Sequence, residues 1–190
     1  MEDAAAEISR VLPGALPHGI DVFRGDGWQT LSIRPAWALR ICMHIRGYVR
    51  IHIGHPRADT RMAIGVGCVD YVPEGRVSAG DGPAFRHSGK LLEQMSARHG
   101  GSMRYSRPDD PGSYLMDALV RSVGELADGW RPLQAKAVVG RLRGLNQKTI
   151  AAQWNPPVSA QAVSRHLKQA RWAAVEQAIS AFEAAHATAE

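Results

Sequence analysis

The sequence predicts an α+β protein in two parts: a mixed front part over residues 1–129 and an all-helical part over 130–190. Three observations carry this. Two β-rich runs flank Gly25-Asp26-Gly27, a hairpin signal. Longer segments repeat apolar residues at three- and four-residue intervals, the helical period. From Arg131 to Arg171 no Asp or Glu occurs, and the stretch is punctuated by Asn146, Asn155-Pro156-Pro157 and Ser159 as a series of short capped helices would be.

The elements follow in order. Ala4, Ile8 and Leu12 share one helical face over Asp3–Leu12, and Pro13-Gly14 ends it. Ile20–Arg24 and Trp28–Ile33 are the arms of the hairpin. Pro35 opens a helix with Trp37, Ile41, Ile45 and Val49 on one stripe. Thr60–Val72 reads as a largely apolar strand whose Gly65 and Gly67 signal close backbone approach or a bulge. Gly82-Pro83-Ala84-Phe85 opens a helix to about His99, carrying Leu91, Leu92 and Met95. A short strand at Met103–Ser106, a loop at Arg107–Gly112 and a helix at Tyr114–Leu126 follow, with Gly129 as C-cap.

In the second part, Leu133–Arg143 predicts a helix with Leu133, Ala137, Val138 and Leu142 inward. Asn146 caps a helix over Gln147–Trp154, and Asn155-Pro156-Pro157 makes a turn. Ser159 caps a third helix to about Arg171, with Val163 and Leu167 inward. An Ala-rich helix runs from Ala173. Trp130, Trp154 and Trp172 are expected to fill this part's core rather than to stack bases.

Charge decides which partner to consider first. The chain carries a formal +5, with 23 basic and 18 acidic residues. Eight of the cations (Arg131, Lys136, Arg141, Arg143, Lys148, Arg165, Lys168 and Arg171) lie in the acid-free stretch, so the remainder is net acidic. A block of one sign is an electrostatic footprint for a polyanion. The capped pair of helices around Ala151 and Val163 is similar to a helix-turn-helix, with a turn about two residues longer than usual. On the third helix Gln161 and Arg165 carry the amide and guanidinium forks that read base edges, while Ser164 and Lys168 suit phosphates. Ser159, Gln147, Lys148 and Thr149 stand at helix starts, where backbone N–H groups favour a phosphate, and Arg141 and Arg143 add cations nearby. Double-stranded DNA is the expected partner. The plainer alternative is a helical bundle with a solvated basic face.

Other classes find less support. No apolar run approaches the ~20 residues needed to span a bilayer, and the acidic start Met1-Glu2-Asp3 lacks a secretory pattern, so a cytoplasmic setting is expected. Cys42 and Cys68 share no metal-type spacing and read as small buried hydrophobes, a disulfide between them being the weaker alternative. His52 and His55, with His44 near, lack a completing Cys or carboxylate for zinc. Ser88 and Ser102 have no neighbouring base.

The Gly25-Asp26-Gly27-Trp28-Gln29 hairpin, the Arg61–Gly67 strand and the Asp81-Gly82-Pro83-Ala84-Phe85 helix start occur in an order that, with the helix-turn-helix, resembles the SatD family over roughly Ile20 to Trp172. The same series resembles a reduced class III nucleotide cyclase. That resemblance implies a ferredoxin-like antiparallel sheet, with a vestigial nucleotide pocket at Gly25, Asp26, Arg86 and Lys90. Cyclase chemistry requires two carboxylates on adjacent strands holding two divalent ions. Upstream of Ile20 there is one helix and no β-rich run to carry the second carboxylate. No catalytic residue, metal or cofactor is therefore expected, and the front part becomes a dimerisation or ligand-sensing module. The competing reading is a metal-dependent nucleotide-binding enzyme using Asp26, with the basic part as a targeting device. A third is an adaptor for an acidic protein. The missing strand would leave an edge for a homodimer or partner protein to complete.

Overall fold

Hydrophobic spacing translates into eight α-helices and four short strands among the residues that the computed structural model describes: 1–23, 25–53, 59–95 and 103–187. Helix α1 (Glu2–Val11) buries Ala4 and Ile8. Strands β1 (Ile20–Phe23) and β2 (Gly27–Thr30) form the expected antiparallel hairpin, with Phe23 opposite Gly27 and Gly25 at φ +85° in the turn. Glycine is needed there because a side chain at positive φ strains the backbone. Two bonds fix the hairpin. The Asp21 carboxylate accepts the Ser78 N–H at 2.9 Å, and hydrogen bonds from Ser78 hold it below the usual carboxylate range. The Trp28 indole N–H donates to Thr60 Oγ1 at 2.8 Å.

A 3-10 turn at Pro35–Trp37 leads into α2 (Ala38–His52). Leu39, Ile41, Cys42, Met43, Ile45 and Val49 are all buried, so α2 is apolar around most of its circumference and lies at the centre of the molecule. It also buries Arg46 completely. Arg46 donates to Gly124 O at 3.1 Å and to the Asp59 and Asp128 carboxylates, while Arg50 reaches Asp59 at 2.8 Å and Asp128 O at 2.6 Å. The buried charge is tolerable because carboxylates and carbonyls replace its water.

Strands β3 (Met62–Gly65) and β4 (Met103–Ser106) are parallel, and α3 (Pro83–Gln94) lies in the connection between them. Two expectations are corrected here. The strand expected over 60–72 stops at Gly65, leaving one isolated bridge between Tyr71 and Asp81. The start of α3 displaces it: Ala84 N–H donates to Cys68 O at 3.1 Å, and a Cβ on Gly65 would sit 2.3 Å from Ala84 O. Second, the described residues form no continuous antiparallel sheet. They form two separate pairs, one antiparallel and one parallel, because no strand lies between β2 and β3.

Helix α4 (Ser113–Asp128) packs on β4 and ends at Gly129. Helices α5 (Pro132–Leu142), α6 (Gln147–Ala152), α7 (Ala160–Gln169) and α8 (Trp172–Ala187) complete the chain. Composition changes at Gly129, yet packing does not break there, since one apolar cluster runs from Leu39 and Met43 through Val138 to Phe182. A Cβ on Gly47 of α2 would lie 2.5 Å from Val139 of α5. Helix α8 buries Val175, Ile179, Phe182 and His186 and reaches back to the front part. Arg40 forks onto Glu183 at 2.6 and 3.1 Å. Tyr105 O–H donates to His186 Nε2 at 2.8 Å, while His186 Nδ1–H donates to Phe182 O.

Two smaller corrections concern burial. Leu133, expected inward, is 51% exposed because it lies on the first turn of α5, where Ala135 takes the inward position. Cys68 is exposed, while Cys42 is buried with its thiol pushed up to about 12 by desolvation; both cysteines are free. Among the described residues, no helix is long and apolar enough to cross a membrane.

Candidate nucleic-acid interface

Helices α5, α6 and α7 close around Ala137, Val138, Ile150, Ala151, Val163 and Leu167. Gly140 lets α5 and α6 touch, since a Cβ there would meet Ile150 Cγ1 at 2.6 Å. Both predicted caps form. Asn146 Oδ1 accepts the Thr149 N–H at 3.0 Å and the Thr149 hydroxyl at 3.2 Å, and Ser159 Oγ accepts the Ala162 N–H at 3.1 Å. The long turn between α6 and α7 contains a cis Asn155–Pro156 bond and folds back on α6 through Val158 N–H to Ala151 O at 3.1 Å. The prolines therefore lengthen the turn without separating the two helices.

All three tryptophans of this part are buried, as expected. Trp130 donates its indole N–H to Ala170 O at 3.0 Å and locks the end of α7. The Trp154 ring lies against His166, and Lys136 Nζ stands 5.1 Å from its centre, so that cation is committed to an internal ring.

The faces of α7 separate cleanly. Val163 and Leu167 are 0% and 5% exposed. Gln161, Ser164, Arg165 and Lys168 are exposed, along with Gln169, which the spacing argument passed over although it continues the Gln161–Arg165 four-residue interval. Burial, and then the neighbouring Arg165, lower the His166 pKa, so the positive charge of this helix comes from Arg165 and Lys168.

Ion pairing divides the remaining cations. Arg141 bonds to Leu145 O at 3.0 Å and to Glu176 at 3.3 Å, and Arg143 lies 3.7 Å from Glu7. Both are therefore partly neutralised within the chain, a consequence of tertiary neighbours that local sequence could not reveal. Among the described residues no carboxylate lies within ion-pair distance of Arg131, Lys148, Arg165, Lys168 or Arg171, and all five are exposed. Gln147 is exposed beside Lys148, whereas Thr149 is half-buried and spent on the Asn146 cap. Arg171, between α7 and α8, has φ +57°, a left-handed conformation that nothing in its sequence context announced.

The residues assigned by resemblance to a nucleotide pocket are not brought together. Gly25 and Asp26 sit on the exposed hairpin turn. Arg86 pairs with Asp81 at 2.7 Å and Asp70 at 3.4 Å. A cleft of about 900 Å³ does open in the front part, between β2 and β3, but Gly25, Asp26, Arg86 and Lys90 all lie off its walls. Phe85, Ser88 and Leu92 form the face of α3 that lines it, and Arg86 and Lys90 fall on another face. Among the described residues no three His, Cys, Asp or Glu side chains gather as a metal site. His44 is buried and His52 exposed, the latter bonded to Tyr48 O at 3.0 Å; His55 and Ser102 lie outside the described residues. Ser88 donates to the Ala84 and Phe85 carbonyls. No protein-family description matches the chain, and no curated protein or solved structure matches it either.

Proposed function

We propose that the chain is a double-stranded DNA-binding protein, a transcriptional regulator that reads the major groove with α7. The observation that carries this reading is the two-sidedness of α7. Its apolar stripe is sealed into the bundle, while Gln161, Ser164, Arg165 and Lys168 form an outward face with no carboxylate within ion-pair distance among the described residues. Base edges are read by planar forks such as the Gln amide and Arg guanidinium, and phosphates are held by point cations and hydroxyls. Lys148 and the capped start of α6 add a phosphate contact beside the groove reader. The exposed Arg131 and Arg171 extend the cationic surface. Arg141 and Arg143 support the site by bracing the bundle more than by meeting phosphate. The similarity of the hairpin and helix-start motifs to SatD proteins supports a sensing or assembling role for the front part.

The test is selection of bound duplexes from random sequence at about 50 and 200 mM salt. A reader enriches one sequence at both concentrations, because base contacts survive screening. Retention at low salt with no enriched sequence at either concentration overturns groove reading in favour of a merely cationic surface.

A further inference from the structure

The cleft between the hairpin and the parallel pair has walls of an unusual kind. A strand that turns one face to a cavity contributes alternate residues, since side chains alternate with period two. Here the contribution is consecutive: every residue from 28 to 33 on one wall and from 61 to 67 on the other. Within the strands, over 28–30 and 62–65, consecutive lining means that the cleft is faced by backbone edges. The pairings agree. β2 bonds to β1 on one side and β3 bonds to β4 on one side, and the two pairs share no hydrogen bond. Val66 N–H donates to Ser106 O, so by alternation the N–H and C=O groups of Ala63 and Gly65 turn the other way.

Two unpaired edges flanking one gap are a binding site for a strand. The size fits. With about 3.3 Å of rise per residue, about 4.8 Å between strands and about 10 Å between layers, a sheet residue occupies about 160 Å³. The cleft of about 900 Å³ therefore takes five or six residues, slightly fewer than the six and seven of its two walls. The chemistry is also specified. The floor is α2 with Ile41 and Cys42, and Ile33, Val69 and Leu92 are large apolar side chains left exposed where the cleft opens. Arg61 and Glu93 supply one charge of each sign, so the walls favour neither a cationic nor an anionic segment.

We infer that this cleft receives an extended, uncharged segment of five or six residues from a partner chain, with apolar side chains at alternate positions. The segment inserts between β2 and β3 as a fifth strand and joins the two pairs into one sheet. Its backbone satisfies both edges, its apolar side chains meet α2, and its opposite face meets Phe85 and Leu92 of α3.

Gly89 gives a variant that fills the cleft while keeping the fold. It lines the cleft from the exposed side of α3, a Cβ there meets nothing within 4 Å, and replacing a helical Gly does not weaken the helix. A random decapeptide display library is selected on the full chain and counter-selected on Gly89→Phe. The expected winners carry alternating apolar residues, and their synthetic peptides bind at least tenfold more weakly to Gly89→Phe. N-methylation of an amide facing β2 or β3 weakens binding by a similar factor. Three results overturn the inference: no peptide enriched over Gly89→Phe; winners indifferent to N-methylation, which marks an ordinary apolar pocket; or a dimer in sedimentation that Gly89→Phe dissociates, which makes the occupant a second copy. None of these readouts involves DNA, so each stands or falls apart from the groove-reading proposal.

Discussion

Replacing Arg165 and Lys168 together by Ala tests the cationic face most directly. On the proposed reading, the phosphate-facing set is the five exposed cations with no carboxylate partner among the described residues (Arg131, Lys148, Arg165, Lys168 and Arg171). On a duplex of random sequence Arg165 has no cognate base and meets phosphate instead; if each of the five then neutralises one phosphate, log affinity falls against log salt with a slope of about −4.5, at about −0.9 per contact. Between 50 and 200 mM salt that is a loss of about 500-fold. Removing two contacts brings the slope to about −2.7 and the loss to about 40-fold. Fluorescence anisotropy with a labelled duplex of random sequence measures both slopes. Both side chains are exposed and Ala is the best helix former, so the variant's melting temperature should match the parent's. An unchanged slope in a folded variant would show that α7 is not on the DNA-facing surface and would refute the reasoning.

Three further outcomes are expected. Burial, with help from Arg40, pushes the His44 pKa down to about 4 against an ordinary 6.5. The unfolded chain thus takes up a proton that the folded chain refuses. Stability is fully present above about pH 6.5 and falls as pH drops toward 4, by an order of 3 kcal/mol in total. Urea titrations at pH 4.5 and 7 should show that part of the slope vanish in His44→Leu. Arg46→Met takes the cation from Asp128 and leaves Asp59 with Arg50 alone, and should cost about 3 kcal/mol, the lower end for a broken buried pair because Asp59 keeps one partner and both carboxylates keep some solvent. Calorimetry should record a melting point lower by about 6–12 °C for a chain of this size. Arg171→Gly relieves a left-handed residue and should stabilise the fold by up to about 1 kcal/mol, visible as a higher denaturant midpoint with an unchanged slope.

What the sequence made legible follows the range of the forces involved. The hairpin, the Asn146 and Ser159 caps and the two faces of α7 are local, decided by residues within four positions of one another, and they form where expected. The strand after Thr60 ended early because the start of α3 crowds Gly65 and Ala84 N–H takes the Cys68 carbonyl, contacts that no short window of sequence contains. The pairing of Arg141 with Glu176 and of Arg143 with Glu7 was illegible for the same reason, since both carboxylates come from distant helices. The absence of a strand upstream of Ile20 was readable. The cleft that this absence leaves needed three-dimensional placement of β2 against β3.

Helix α2 touches both halves of the molecule: Ala38, Ile41 and Cys42 face the cleft, and about one and a half turns beyond Cys42 Gly47 abuts Val139. Helix α5, on which α7 packs, is thus seated on the same rod that floors the front cavity, and α8 packs against both α2 and α7. A displacement of α2 on its cavity side would reach α7 through α5, and excising residues 130–190 would strip α5 of the α2 surface it is seated on.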